Sequence, residues 1–126
     1  MLRCVTLAAA LLAAGPALAQ QTTRSFPSNA LRGELVVVLP PEVLLNGQPA
    51  RLAPGSLIRD ESNMLQLSGA LIGRRFVVNY THDAAGQPLQ VWVLSAAERA
   101  KWPWPMTDAQ AQAWLFDAAA QAWTSR

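Results

Sequence analysis

The residues that could carry acid–base or nucleophilic chemistry are few. His82 is the only histidine among 126 residues. A catalytic histidine needs an orienting group and a nucleophile within reach, but the adjacent Asp83 opens a turn and no G-x-S-x-G sequence is present. Asp60 and Glu61 are neighbours, and on a strand neighbouring side chains point to opposite faces. We therefore interpret His82 as a solvated residue at a hairpin end and predict no catalytic residue.

The residue types also give little support for a metal site or a cofactor site. A structural zinc site takes four ligands, mostly cysteine and histidine. The chain has one histidine and one cysteine, Cys4. The acidic pair Asp60 and Glu61 falls short of the six or more oxygens that calcium prefers. We predict no metal site and no cofactor site.

Tryptophan is the residue type whose placement stands out. Four of the five tryptophans lie beyond residue 100, at Trp102, Trp104, Trp114 and Trp123. Aromatic side chains dominate recognition surfaces, but they also fill the cores of small domains. We take these four residues as the candidate interaction surface, and a role in the core remains open.

The N-terminus has the three parts of a secretory signal peptide. Arg3 is the positive residue, residues 5–14 (VTLAAALLAA) form an apolar run, and Ala17-Leu18-Ala19 is a cleavage sequence. The run is shorter than the roughly 20 residues of a transmembrane helix. Cleavage after Ala19 predicts a periplasmic or secreted protein without a transmembrane segment, and it removes Cys4 with the leader.

The remaining 107 residues have an almost neutral charge balance. Of ten basic and eight acidic residues in the whole chain, only Arg3 is lost with the leader. This balance does not favour nucleic acid as a partner. The length predicts one domain, which we divide into a flexible N-terminus at 20–29, a small β domain at 30–95 and a helical, tryptophan-rich tail at 96–126.

Turn residues divide the segment 30–95 into short apolar runs. The run 30–39 (ALRGELVVVL) predicts a buried strand, and Asn46-Gly47 predicts a type I′ hairpin turn. Segments 74–81 and 89–95 predict a second hairpin. The fold class is therefore predicted to be mainly β: a small barrel of OB-like or SH3-like type, or a short-strand sandwich, with C-terminal helices.

Two sequences at the start of the tail match the capping box of a helix. Ser95 with Glu98 marks one helix start, and Thr107 with Gln110 marks another. The alanine-rich segment that follows predicts a helix continuing to Trp123.

Residues 26–98 resemble an uncharacterised family of small exported proteins of Gram-negative bacteria. The resemblance rests on Leu31-Arg32-Gly33, on Pro41-Glu42-Val43-Leu44-Leu45-Asn46-Gly47, on residues 51–59 (RLAPGSLIR) and on Val91-Trp92-Val93-Leu94. These are strand and turn signals, so the resemblance implies export and a fold without implying a chemistry.

Three hypotheses on function follow. The first is a non-catalytic periplasmic binding module for an unknown envelope protein or polymer. The second is a small envelope enzyme with a site near Tyr80, His82 and Asp60. The third is a membrane-peripheral protein attached by its C-terminal helix, although that segment lacks the lysines and arginines expected for anionic lipid.

Overall fold

A computed structural model describes residues 23–126, and a seven-stranded mixed sheet forms most of the fold. The strand order is β3-β2-β1-β6-β7-β4-β5. The strands are β1 (Leu31–Leu39), β2 (Glu42–Leu45), β3 (Gln48–Arg51), β4 (Leu57–Arg59), β5 (Leu65–Gln66), β6 (Arg75–His82) and β7 (Pro88–Val93). The predicted mainly β class is confirmed. The sheet is not a closed barrel, because β3 and β5 remain as its two edges.

The β2–β3 hairpin forms at the predicted Asn46-Gly47 turn. Both residues have positive φ, 54° and 77°, as a type I′ turn requires. Leu44 pairs with Pro49, and β3 lies at the edge of the sheet. Pro49 has no N–H to offer to a further strand, which explains why an edge tolerates it.

The β6–β7 hairpin is also confirmed, but the pairing of β4 is non-local. β4 runs parallel to β7, with Ile58 opposite Val91. The chain between these two strands contains β5, a 3₁₀ turn (Ser68–Leu71) and β6. The sheet is therefore mixed, with one parallel pair among antiparallel ones.

The two faces of the sheet serve different cores. The first core takes alternating residues from one face of β1, β6 and β7, together with residues from β2, β4, the 3₁₀ turn and the chain after β3. Its members are Leu31, Leu35, Val37, Val43, Leu52, Ile58, Leu71, Val78, Tyr80, Val91 and Val93. On the opposite face Arg32, Asn79 and Trp92 are aligned across the same strands. There the second core is built from Phe26, Ala30, Leu94, Trp104 and Trp123.

The predicted capping box at Ser95 is confirmed and starts α1 (Ala96–Arg99). The prediction of a long C-terminal helix that continues to Trp123 is wrong. α2 (Asp108–Ala113) ends after six residues. The chain then forms a hairpin of β8 (Leu115–Asp117) and β9 (Ala122–Thr124). Phe116 pairs with Trp123 in this hairpin, and their rings stack 4.6 Å apart.

The burial of aromatic side chains explains why this segment does not form the helix that its alanine content predicts. The two-residue period of a strand places Phe116 and Trp123 together against the second core. The turn between the strands is held by Asp117, whose carboxylate accepts hydrogen bonds from the N–H groups of Ala119 and Ala120. Alanine has the highest helix propensity, but ordinary residues differ from it by at most about 0.7 kcal/mol each, and packing overrides so small a preference.

The segment before β1 packs against the rest of the domain. This corrects the prediction of a flexible N-terminus at 20–29 for residues 23–29, which are the part of it that the structure describes. Phe26 is buried in the second core. Arg24 forms a bidentate pair with the buried carboxylate of Glu98, at 2.8 and 2.9 Å. Its guanidinium also donates to the carbonyl groups of Asp60 and Val93. The predicted signal peptide at 1–19 lies outside the described residues.

Candidate functional site

An open groove of about 550 Å³ lies on the face of the sheet that carries Arg32. Its floor is the neighbouring row of that face, where Glu34 pairs with Val77. One wall is the Asn46-Gly47 turn, and the other is the chain after α1. The lining residues are Arg32, Gly33, Glu34, Asn46, Gly47, Val77, Arg99, Trp102 and Met106. We call this cavity the Trp102 groove.

The apolar part of the groove consists of three exposed side chains. Trp102 is 67% exposed, Met106 is 41% exposed and Val77 is 36% exposed. An indole with this exposure loses the free energy that its burial would contribute, about 25 cal/mol for each Å² of apolar surface. An exposed apolar cluster in a concave site is typical of a binding surface.

A buried arginine fixes the wall of the groove. Arg32 is 4% exposed, and its Nη1 donates to the carbonyl of Lys101, the residue before Trp102, at 3.0 Å. It also donates to the carbonyl of Glu98 and to the amide oxygen of Asn79. Three segments distant in sequence therefore meet at one guanidinium group.

The guanidinium of Arg32 contacts no carboxylate within residues 23–126. Its hydrogen-bond acceptors are neutral, and it stacks on the ring of Trp104 at 5.1 Å. Burial lowers the pKa of Arg32 to about 10, and the nearby charge of Glu98 opposes this shift. The group stays charged at neutral pH, so the lining of the groove includes a buried cation.

The charges lining the groove sum to one positive charge. Arg32 and Arg99 are cationic, and Glu34 is the single carboxylate of the lining. Glu34 is already paired with Arg75, at 3.1 Å from Nε. Arg99 donates to the carbonyl of Leu94, and its carboxylate neighbour among the described residues, Glu61, lies 3.9 Å away on an exposed surface.

The structure divides the four tryptophans of the predicted interaction surface. Trp104 and Trp123 are buried in the second core, at 1% and 6% exposure. Trp114 is half-buried against that core. Only Trp102 of these four is exposed in the groove. Sequence reasoning missed Met106 and Arg99, because no local pattern in the sequence places them beside β1 and β6.

The residues of the hypothesised enzyme site do not form a catalytic arrangement. Both ring nitrogens of His82 face acceptors: Nδ1 lies 2.9 Å from the carbonyl oxygen of Asp83, and Nε2 lies 2.7 Å from the carboxylate of Asp108. Each ring nitrogen is therefore within hydrogen-bond distance of an oxygen atom of the protein itself. Tyr80 is 6% exposed within the first core.

Asp60 lies in a separate environment from His82. Its carboxylate accepts from the N–H groups of Ser62 and Met64 and from the side chain of Gln66. These hydrogen bonds close the turn between β4 and β5. Asp60 shares no hydrogen bond or ion pair with His82 in residues 23–126.

Comparisons with protein-family models, with curated proteins and with solved structures give no match to this chain. The resemblance to a family of exported proteins therefore stays a prediction.

Two further observations concern residues 23–126. No group of three or more histidine, cysteine, aspartate or glutamate side chains is arranged to hold a metal ion there. In the same residues, no helix has the length and apolar character needed to cross a membrane. The helix proposed for peripheral membrane attachment stops at Ala113, so that hypothesis loses its structural element.

Proposed function

We propose that this protein is an exported, non-catalytic binding module that uses the Trp102 groove. The observation that carries the proposal is the exposure of Trp102 beside Met106 and Val77 in this concave groove. A periplasmic or secreted location is part of the proposal and rests on the sequence of residues 1–19. The partner is an envelope protein or polymer.

The rigidity of the groove supports this proposal. The carbonyl group of Lys101 is held by Arg32, and the second core lies directly behind it. On the opposite wall, Asn46 is fixed to β1, since it accepts from and donates to Glu34 at 2.9 and 2.8 Å. A preformed site binds with a smaller loss of conformational entropy than one that must be ordered by its ligand.

The experiment measures binding of an uncharged apolar fluorophore, N-phenyl-1-naphthylamine, by its increase in fluorescence. We expect Trp102→Ala to weaken binding about tenfold, because burying one aromatic side chain contributes roughly 1.5–3 kcal/mol. Leu67→Ala is the matched control, since Leu67 is 83% exposed and lies outside the groove. Equal binding by the Trp102→Ala protein, or no binding by the native protein, would overturn the proposal.

A further inference from the structure

The Trp102 groove combines its apolar surface with an incompletely neutralised positive charge. Arg99 lies at the rim with a side chain that is 44% exposed, and its ion pair with the exposed Glu61 is long, at 3.9 Å. Arg32 is buried beside the floor and makes all its described hydrogen bonds to neutral acceptors. The one carboxylate of the lining, Glu34, is engaged by Arg75 from outside the groove. A negatively charged ligand is therefore favoured over a neutral or cationic one.

The geometry of the rim restricts this ligand further. Asn46 uses its side-chain oxygen to accept from the N–H of Glu34, and its amide nitrogen forms no hydrogen bond within residues 23–126. Gly47 leaves open space where a side chain would lie. An open wall with a polar donor accommodates a hydrogen-bonding backbone, whereas an acyl chain is best bound in an enclosed apolar cavity.

We propose that the Trp102 groove binds the C-terminus of a peptide, with its carboxylate at Arg99 and its last apolar side chain against Trp102 and Met106. This assignment rests on the proposed function. The guanidinium of Arg99 donates to the carboxylate. The positive charge of Arg32, beside the floor, favours the anion. The amide nitrogen of Asn46 donates to a carbonyl of the peptide backbone.

Calorimetric titration of the purified protein tests this proposal. The probe is the peptide acetyl-Gly-Ser-Ala-Leu with a free carboxylate, and its C-terminal amide is the matched ligand. We expect the carboxylate form to bind about tenfold more tightly, the change typical of losing one charge-assisted hydrogen bond. Arg99→Gln is expected to remove that preference, Arg99→Lys to retain most of it, and Arg51→Gln to leave it unchanged. Arg51 is an exposed arginine on β3 outside the groove.

The outcomes separate this inference from the proposed function. Equal affinity for the two peptides, together with fluorophore binding that depends on Trp102, overturns the carboxylate assignment and leaves the binding module in place. Octanoate provides the second arm, since it joins a carboxylate to an acyl chain. Octanoate affinity equal to or above that of the peptide overturns the peptide assignment. A preference for the carboxylate that survives in Arg99→Gln overturns the role of Arg99, and a thermal melt of each variant establishes that it is folded.

Discussion

The guanidinium of Arg32 lies 5.1 Å from the ring of Trp104, with both side chains almost completely buried. Arg32 belongs to β1, and Trp104 belongs to the chain between α1 and α2. The contact joins the sheet to the C-terminal segment. In the same region Trp104 donates from Nε1 to the carbonyl of Ala30 at 2.9 Å. Removal of either side chain is therefore expected to loosen the wall of the Trp102 groove as well as the fold.

Arg32→Met tests the stabilising role of this arginine. The substitution leaves the carbonyl groups of Glu98 and Lys101 and the amide oxygen of Asn79 without their donor. We expect the free energy of unfolding to fall by about 2–4 kcal/mol, since buried acceptors lose their partners. Urea denaturation measures this change, and a loss below about 1 kcal/mol would contradict the assignment.

The Arg24–Glu98 pair predicts a dependence of stability on acidic pH. Burial raises the pKa of Glu98, but hydrogen bonds from Arg24 and from the backbone N–H of Ser95 outweigh it and hold the pKa at about 2. The folded pKa is below the unfolded value of 4.5, so the contribution is complete above pH 4.5 and is lost as pH falls towards 2. We expect it to be about 3 kcal/mol.

Urea denaturation between pH 7 and pH 2.5 measures this contribution in the native protein and in Glu98→Gln. The variant cannot titrate at this position, so its stability should fall less steeply with acid. Glu42→Gln is the control, because Glu42 is an exposed partner in a surface pair. Identical acid profiles for the native protein and Glu98→Gln would show that Glu98 does not carry the effect.

The His82–Asp108 contact predicts a second pH dependence with the opposite sign. Hydrogen bonds to the carbonyl of Asp83 and to Asp108 raise the pKa of His82, against the effect of burial. A raised folded pKa gives stability that is present below the unfolded value of 6.5 and is lost as pH rises through the folded value. The contribution is about 0.5 kcal/mol, because the pair is partly exposed to solvent.

Nuclear magnetic resonance titration of the ring protons of His82 measures this pKa directly, since His82 is the only histidine. We expect Asp108→Asn to lower the pKa because the amide replaces an anionic acceptor. Asp117→Asn is the control, as the carboxylate of Asp117 holds the β8–β9 turn instead. An unchanged pKa in Asp108→Asn would exclude Asp108 as a cause of the shift.

Substitution by alanine is expected to change the free energy of unfolding strongly at Trp123 and hardly at all at Trp102. Trp123→Ala removes a side chain that stacks on Phe116 in the second core, and large-to-small changes of this kind cost about 3–5 kcal/mol. Trp102→Ala should change the free energy of unfolding by no more than about 0.5 kcal/mol, since the side chain is exposed. It should instead remove the fraction of tryptophan fluorescence that acrylamide quenches most readily. Equal losses of stability in the two variants would refute the assignment of Trp123 to the core and of Trp102 to the exposed groove.

Local chemistry explains the elements that could be predicted. The Asn46-Gly47 turn requires only two residues that tolerate positive φ, and the capping box at Ser95 requires only two side chains three residues apart. The run of valines in β1 makes a buried strand for a similarly local reason. Each of these signals acts within a few residues of sequence, so it is readable without the fold.

Long-range contacts determine the elements that local sequence signals do not predict. The parallel pairing of β4 with β7 depends on where β6 lies, and the β8–β9 hairpin depends on the surface that Trp104 and Phe26 provide for it. The Trp102 groove is assembled in the same way, from the Asn46-Gly47 turn, the chain after α1 and a sheet face that are distant in the chain.

The sequence alone determined the mainly β class and the main hairpins. Only the tertiary structure decided that Trp102 is exposed while Trp104, two residues later, is buried. Both are followed by proline and lie in the same segment, so their local signals are the same. The difference arises from Arg32 and Ala30, which stack on and hydrogen-bond to Trp104 from more than seventy residues away in the chain.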